Sequence, residues 1–493
     1  MIDVAGVRNR LIEKAIRGEL SNRIGSKEDV DALLISIETE RLALLKKKET
    51  KISKASEMIN EGIFNIPNTW KWVSLGKVCI MLSRGKSPKY SESKKYPVFA
   101  QKCNQPNELA LSKAQFLDET TLAKWPDYFR LREKDIVINS TGTGTMGRIG
   151  YYVTDTLNPE YPFMLPDSHI TVVRAGSGIV SKYLYYALKS ASLQTIMEKQ
   201  FRGSTNQKEF YIDSVYSMPI PLPPVEEQQL ITNKLDEAFN ILKFIEHAQN
   251  EYAVNTKILK NKLINAGIQG KLTKQFPEDG NTEDLYSKIQ AERMIILERR
   301  KGKEDKKIKA VESDVPFKIP SHWKWIRLGN IGLFKKGPFG SALTKSMFVQ
   351  KGMDMVKVYE QQHAIKKDWE LGTYYITREY FNEKMSGFEV MPGDIIVSCA
   401  GTIGETYIMP DEIEQGIINQ ALMRVTLAEG IDKKFFQYYF DANLKKSAQE
   451  ESNGSAIKNI PPFDVLKNWY FPLTSIEEQR RIVSKIDEIL ACM

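Results

Sequence analysis

Phe64-Asn65-Ile66-Pro67-Asn68-Thr69-Trp70-Lys71-Trp72-Val73-Ser74-Leu75-Gly76 returns about 250 residues later as Phe317-Lys318-Ile319-Pro320-Ser321-His322-Trp323-Lys324-Trp325-Ile326-Arg327-Leu328-Gly329. Eight of the thirteen positions are identical. Similarity of this length at one offset is a repeat, and a repeat governs how everything between its copies is read. A second echo joins Pro221-Leu222-Pro223-Pro224-Val225-Glu226-Glu227-Gln228 to Pro472-Leu473-Thr474-Ser475-Ile476-Glu477-Glu478-Gln479. A third joins Leu11-Ile12-Glu13-Lys14-Ala15-Ile16-Arg17-Gly18 to Leu263-Ile264-Asn265-Ala266-Gly267-Ile268-Gln269-Gly270.

The order of these pieces carries information too. One copy of the helical part is continuous, from Val225 to Leu272, whereas the other is split between the two ends of the chain. The chain therefore reads as a ring cut open, with its termini brought close and a pseudo-twofold axis as the simplest geometry.

Pro223-Pro224 before Glu226-Glu227 predicts a helix start, with carboxylates at the positive end of the dipole. Ser475-Ile476-Glu477-Glu478 has the capping-box pattern. From Ile231 a seven-residue spacing runs through Ala238, Ile245, Tyr252 and Leu259, with Leu235, Leu242 and Leu263 on the alternate seam. That is a coiled-coil stripe on a helix of about 40 residues, roughly 60 Å long, able to act as a ruler. Its expected antiparallel partners are a helix from about Val4 to Leu20 and another from Ile476 to Leu490. The charged stretches Asp31 to Lys48 and Thr282 to Arg300 match each other and are placed beside the ruler. The basic run from Arg299 to Lys309 reads first as a solvated linker and second as a phosphate contact.

Composition sets bounds. A chain of 493 residues predicts roughly two to four domains. A net charge of +8 permits a polyanionic partner without requiring one. Cys79, Cys103, Cys399 and Cys492 are far apart and suggest neither a disulfide framework nor a zinc site. The first 22 residues alternate charge with aliphatics, unlike a signal peptide, and no stretch approaches the ~18 apolar residues of a membrane span. The expectation is a soluble, cytoplasmic protein.

Between the helical pieces lie segments 64–221 and 317–472. Each holds strand-like runs, such as Asp135 to Asn139, Ile170 to Arg174 and Asp394 to Ser398, followed by an aromatic-rich helix, Lys182 to Glu198 or Lys433 to Lys445. The fold class is α/β (α+β). Its parts are an N-terminal helical segment 1–63, a first globular domain 64–221, a central helical region and linker 222–316, a second globular domain 317–472 and a C-terminal helix 473–493.

The whole pattern comprises Ile-Pro-x-x-Trp-x-Trp, an Asp-Ile-hydrophobic strand leading to a Gly-Thr turn, a Gly-Ser element and Pro-Leu-x-x-hydrophobic-Glu-Glu-Gln. It resembles the specificity subunit of type I restriction-modification systems, over essentially the whole chain and twice. The resemblance implies two target-recognition domains that read the halves of an asymmetric, interrupted double-stranded DNA target. It also implies two docked DNA methyltransferase subunits and two restriction (translocase) subunits. The subunit itself would be non-catalytic, with S-adenosylmethionine, ATP and Mg confined to its partners. One departure is the short C-terminal helix, which leaves about ten positions of the central helix without a counterpart and puts the symmetry of the two docking surfaces in question.

Other chemistries read poorly. Gly142-Thr143-Gly144-Thr145-Met146-Gly147 has dinucleotide-fingerprint spacing, but Ile149 to Val153 looks like another strand and Cys399 to Gly404 breaks the spacing. A strand-to-strand turn fits better, either structural or placing backbone N–H groups and Arg148 against a phosphate. Asn459-Ile460-Pro461-Pro462-Phe463 has an isoleucine inside what would be an amino-methyltransferase Asn-Pro-Pro-Phe element. Pro410-Asp411 with Asp432-Lys433-Lys434 makes a forced nuclease pattern that lacks its acid in the first copy. Trp70, Trp72, Trp323 and Trp325 fit domain packing better than base stacking. His169, His247, His322 and His363 have no ligand spacing.

Base readout calls for donors and acceptors on loops that can enter a groove. In the first domain the candidates are Arg84, Lys86, Lys89, Lys102, Asn104, Gln105, Thr143, Arg148, Arg202, Ser204, Asn206 and Gln207. In the second they are Lys335, Lys336, Ser341, Lys357, Gln361, Gln362, Thr402, Asn419, Gln420, Asn453, Ser455 and Lys458. Each alone reads first as a solvated loop residue; as clusters, about half are expected on DNA, mostly at phosphate. The runner-up reading is the recognition portion of a fused methyltransferase-nuclease, for which two recognition domains and two rulers leave no room in 493 residues. A helical scaffold without a DNA role is disfavoured by the paired globular domains.

Overall fold

A computed structural model describes the chain except residues 53–56, 61–62, 107, 143, 155–160, 204–207, 275, 301–307 and 452–459, and the side chains of 445–451. It divides into two compact units, Met1–Asn250 and Glu251–Met493.

In the first unit α1 (Val4–Ile16) starts at Asp3, whose carboxylate accepts the Gly6 N–H, and α2 (Lys27–Lys46) starts with a Ser26/Asp29 capping box. The α1 helix stops short of Leu20. Gly18 adopts φ +75°, and the Glu19 N–H closes back on the Lys14 carbonyl (2.8 Å). A Cβ at Gly18 would meet the Pro67 ring at 2.5 Å, so the helix end and the Ile-Pro motif require glycine jointly.

Among the described residues ten strands follow: β1 (Lys71–Ser74), β2 (Cys79–Arg84), β3 (Tyr90–Ser91), β4 (Pro97–Phe99), β5 (Gln115–Leu117), β6 (Ile136–Asn139), β7 (Ile149–Tyr151), β8 (Leu165–Pro166), β9 (Ile170–Ala175) and, after three helices, β10 (Pro219–Leu222). They form an antiparallel sheet in the order β2-β9-β6-β7, a mixed sheet β3-β5-β4-β8 with β4 parallel to β8, and the two-stranded clasp β1-β10. The three helices are α3 (Ser181–Lys189), α4 (Ala191–Lys199) and α5 (Ile212–Ser217). The expected single helix 182–198 is broken at Ser190, which is extended and caps α4. Sheet residues alternate in destination: Ile136, Ile138 and Val173 pack with α3 and α4, while Val137 and Val172 pack against the mixed sheet. Burial on both faces explains why β6 opens on the unbroken apolar run Ile136-Val137-Ile138.

The long helix α6 (Val225–Ile268) has 44 residues and begins in the first unit. There α1 lies antiparallel along it, with Ile2 bonded to Gln249 (3.1 Å) and Arg23 to Glu227 (2.9 Å).

In the second unit α7 (Thr282–Arg299) precedes β11 (Lys324–Arg327), β12 (Gly332–Lys336) and β13 (Met355–Tyr359). Then come α8 (Gln361–Lys366), β14 (Tyr375–Thr377), the single turn α9 (Arg378–Tyr380), β15 (Glu389–Val390), β16 (Ile395–Ser398), β17 (Thr406–Ile408), β18 (Gly416–Ile418) and β19 (Leu422–Leu427). The chain ends with α10 (Lys433–Glu451), α11 (Phe463–Lys467), β20 (Tyr470–Leu473) and α12 (Ile476–Ala491). The order β12-β19-β16-β17 repeats that of the first antiparallel sheet, and β11-β20 repeats the clasp. The second mixed sheet is β14-β13-β18-β15, with β13 parallel to β18. Here α12 runs antiparallel to the end of α6: Gly267 faces Ile482 and Ile486, and Tyr252 bonds the carbonyl of Met493.

The expected seam is only partly buried. Ile231, Leu235, Leu242 and Leu263 are buried, but Tyr252 is 57% and Leu259 50% exposed.

The two clasps explain why motifs some 155 residues apart recur together. Trp70 Nε1 donates to Glu227 Oε2 and Trp323 Nε1 to Glu478 Oε2, both at 2.9 Å. Both carboxylates are fully buried. The Ser475 hydroxyl caps the Glu478 N–H (3.1 Å), but the reciprocal half of the capping box is missing because Trp323 and Thr474 hold the carboxylate. Among the described residues no helix is long and apolar enough to cross a membrane.

Candidate nucleic-acid interface

In the first unit β2 and β6 end, and β9 begins, at one end of the antiparallel sheet: Arg84 lies opposite Thr171, and Asn139 opposite Ile170. The loops leaving that end are tied together through their backbones. Gly85 N–H donates to Ile170 O (3.0 Å), Ser140 N–H to His169 O (2.8 Å) and Phe210 N–H to Ser140 O (2.8 Å). A Cβ at Gly85 would collide with the carbonyl oxygens of Pro166 and Asp167, so only glycine lets these loops touch. Burial pushes the neighbouring Asp167 carboxyl up, opposed by the His169 N–H it accepts at 2.8 Å.

Several first-domain candidates gather on this rim. Arg84 pairs with Glu209 and donates to Phe210 O (2.7 Å). Lys86 bridges backbone-to-backbone with Asp167, and its ammonium donates to Lys124 O. Arg202 bridges to Glu209 through its backbone and pairs with Asp213 at 3.3 Å. Lys102 is exposed on a short helical turn, where Gln105 donates to its carbonyl (2.7 Å). Lys89 stands apart on Asp118 at 2.7 Å. Arg148 closes the β6–β7 turn and donates to Asn104 O (2.8 Å). The Gly142 to Gly147 stretch is therefore a strand-to-strand turn and not the opening of a nucleotide-binding helix.

Asn104 needs correcting. It is fully buried, its amide donating to Asn139 Oδ1 (3.0 Å) and Arg148 O (3.1 Å), so it braces the loop from beneath and cannot reach a groove. Thr143, Ser204, Asn206 and Gln207 lie outside the described residues.

The second unit repeats the rim. Gly337 N–H donates to Leu422 O (2.9 Å) and Cys399 N–H to Ala421 O (2.8 Å), and a Cβ at Gly337 would strike the Asn419 carbonyl. Lys336, Ser341, Thr402 and Gln420 are exposed there. Lys335 is half-buried with its ammonium 4.8 Å from the Phe388 ring, and burial lowers its pKa. Asn419 caps its own turn through Ala421 N–H (3.0 Å), and Gln362 donates to Glu360 (3.0 Å). Gln361 donates to the Ala400 carbonyl in the β16–β17 turn.

Lys357 is the second correction. It is 1% exposed on β13, donates to Glu370 O (3.1 Å) and sits beside the Tyr359 and Trp369 rings, so it supports the sheet from inside. Asn453, Ser455 and Lys458 lie outside the described residues.

Four rim residues are absent from the candidates read in the sequence. Gln101 donates to the Thr141 hydroxyl, which shares a 2.8 Å hydrogen bond with Nδ1 of exposed His169. Phe339 is 88% exposed at the tip of the loop after β12. Only its Gly-rich surroundings could have signalled it. Among the described residues no group of three or more His, Cys, Asp or Glu is arranged to hold a metal ion. The two rims thus offer amide, hydroxyl, backbone and cationic groups for hydrogen bonding to a polar, anionic surface.

A sequence model of the family described as type I restriction modification DNA specificity domain matches residues 67–252 and 320–493. The chain is 23% identical to the type I restriction enzyme EcoAI specificity subunit of Escherichia coli, over 99% of this chain and 90% of that one. It is 22% identical to the putative type I restriction enzyme MjaX specificity subunit of Methanocaldococcus jannaschii, over 87% and 88%. A solved chain, described in terms of complex assembly and conformational transition of the type I R-M system, matches with a TM-score of 0.58 at 17% identity, covering 87% of this chain and 93% of that chain. At that identity the likeness is one of fold.

Proposed function

This chain belongs to the type I restriction modification DNA specificity family, and from that premise we propose how it recognises its target. It is the non-catalytic, DNA-recognising subunit of such a system. Each unit applies its rim to one half of an interrupted, asymmetric duplex target, and α6 is the spacer that sets the separation of the halves. Two methyltransferase subunits and two restriction subunits dock on the helical parts. S-adenosylmethionine, ATP and Mg belong to those partners, where the target adenine is extruded from the duplex and methylated. The assembly works in the cytoplasm, alongside the DNA.

One observation carries this reading. Two sheets of the same strand order, each with a glycine-tied rim, present different side chains: Arg84, Lys86 and Arg202 in one, Lys336, Ser341 and Gln420 in the other. Identical readers on a twofold scaffold would require a palindrome, whereas different readers predict two unlike half-sites.

Methylome sequencing of cells with and without the gene, beside its methyltransferase partner, tests the proposal. Loss of a two-part adenine-methylation motif on deletion is expected. An unchanged methylome in an otherwise active system refutes it.

A further inference from the structure

The two rims share one side chain that the offset of the repeat does not bring together: Phe64 and Phe317 lie 253 residues apart, Gln101 and Gln361 260. Asp167 N–H donates to Phe99 O at 3.0 Å in the first unit, and Asn419 N–H to Tyr359 O at 3.0 Å in the second. These bonds follow the parallel pairs β4–β8 and β13–β18, so Phe99 and Tyr359 are equivalent positions. Two residues on from each stands a glutamine, Gln101 and Gln361. Each reaches the turn after the central strand, two residues past its end: Gln101 to Thr141 and Gln361 to Ala400. Each turn then continues with a glycine at positive φ, Gly142 at +94° and Gly401 at +65°. The turns differ in length, since Gly147 N–H returns to Asn139 O but Gly404 N–H to Ser398 O. The glutamine is kept although the turn is not.

The hydrogen bond at Ala400 also orients the amide. A carbonyl only accepts, so Nε2 points into the turn. Nε2 carries two hydrogens, of which this bond uses one. Among the described residues neither glutamine Oε1 accepts a hydrogen bond. Both side chains are half-buried at the rim. An acceptor and a remaining N–H on one planar amide match the N6–H and N7 of adenine in the major groove, the pairing that suits glutamine best.

We propose that Gln101 and Gln361 are matched specificity-determining residues, each reading one adenine, other than the methylated base, in its own half-site, while the turn holds the amide in the reading plane. The proposal rests on the two-rim reading above and adds the residues and the base.

The test uses the complete methyltransferase complex containing the full chain, assayed on duplexes carrying every single-base substitution of the wild-type motif. Gln101→Leu should reduce discrimination roughly 5- to 100-fold at one adenine in one half-site, and Gln361→Leu should do so in the other half. Gln101→Glu and Gln361→Glu keep the shape but lose the donor, and should shift preference at the same position toward cytosine, whose N4 donates. Thr141→Val removes the partner of Gln101 and should relax discrimination at the same adenine, but less than Gln101→Leu does, because the amide itself is kept. Thermal midpoints of all variants separate misfolding from altered readout.

Unchanged discrimination in folded glutamine variants overturns the proposal. So does relaxation at many positions at once, or a Thr141→Val profile equal to that of Gln101→Leu, since a mere loop pin gives either result. A wild-type half-site with no adenine on either strand besides the methylated one overturns it as well. Absence of any two-part motif in the wild type is a separate result, which removes the two-rim reading itself.

Discussion

Trp70 directs its single N–H at Glu227, and burial leaves that carboxylate few other partners: Ser21 at 2.7 Å and Arg23 at 2.9 Å. Trp70→Phe keeps the ring but orphans a buried acceptor, and should destabilise the first unit by about 1–3 kcal/mol. Chemical denaturation should show this as a lower midpoint with the recognised DNA motif unchanged. A second buried acid, Asp135, is gripped by Arg174 at 2.8 and 2.7 Å. Arg174→Met should cost about 3–5 kcal/mol at neutral pH, because the carboxylate is left without its counter-charge. Burial already pushes this carboxyl up. In the variant its folded pKa lies above that of the unfolded chain, so the folded state binds the proton more tightly and the loss should shrink as pH falls.

His363 shows the opposite sign. It is fully buried, Nε2 donating to Leu371 O (2.6 Å) and Nδ1 accepting from Glu360 N–H (2.8 Å), an arrangement that suits the neutral ring. Burial holds its pKa below the usual 6.5. The unfolded chain therefore takes up the proton first, and this contribution to stability, complete above about 6.5, is lost as pH falls below it. Urea midpoints of the second unit between pH 7.5 and 5.5 should fall less steeply in His363→Gln, a comparison that would fail if the histidine were charged in the fold.

Among the elements, α6 holds two kinds of surface. Its ends bury Ile231, Leu235 and Ile264 beneath α1 or α12 and the clasps, whereas Val254 and Ile258 are 58% and 47% exposed, and Phe244 is 75% exposed. Apolar side chains left in water along a helix suit helical partners. Phe244→Glu should weaken co-purification of a methyltransferase subunit at least tenfold without lowering the thermal midpoint. Intact co-purification would move the docking surface elsewhere. The heptad spacing foretold the helix, because periodicity is local, and the split copy of the repeat with its pseudo-twofold foretold the antiparallel partners. The spacing did not foretell that Tyr252 and Leu259 would stay about half exposed on that seam.

For the whole molecule, the clasps bring the two ends of each globular segment side by side within its own unit, β1 on β10 and β11 on β20. A segment closed in this way can be exchanged without re-routing the chain. Replacing residues 64–221 with the matching segment of a relative should change one half of the methylated motif and spare the other. A change in both halves would refute modular reading. The units are repeats but not copies: the acid at the head of the central strand pairs with Arg174 in the first, and its counterpart Asp394 with Arg300 (2.8 Å) and Thr426 in the second.

The repeat, its split order, the helix starts and the mixed α/β class were legible in the residues alone, since each rests on patterns within a few turns or on direct identity such as Trp70-Lys71-Trp72 and Trp323-Lys324-Trp325. The rim was not. Asn104 and Lys102 are near neighbours with equally polar side chains, yet one is sealed beneath Arg148 and the other is exposed. Gln101 and Gln361 become equivalent only when β4 and β13 find parallel partners more than fifty residues away. Strand pairing across such distances sets which loops meet and which side chains are covered, and no local pattern encodes it.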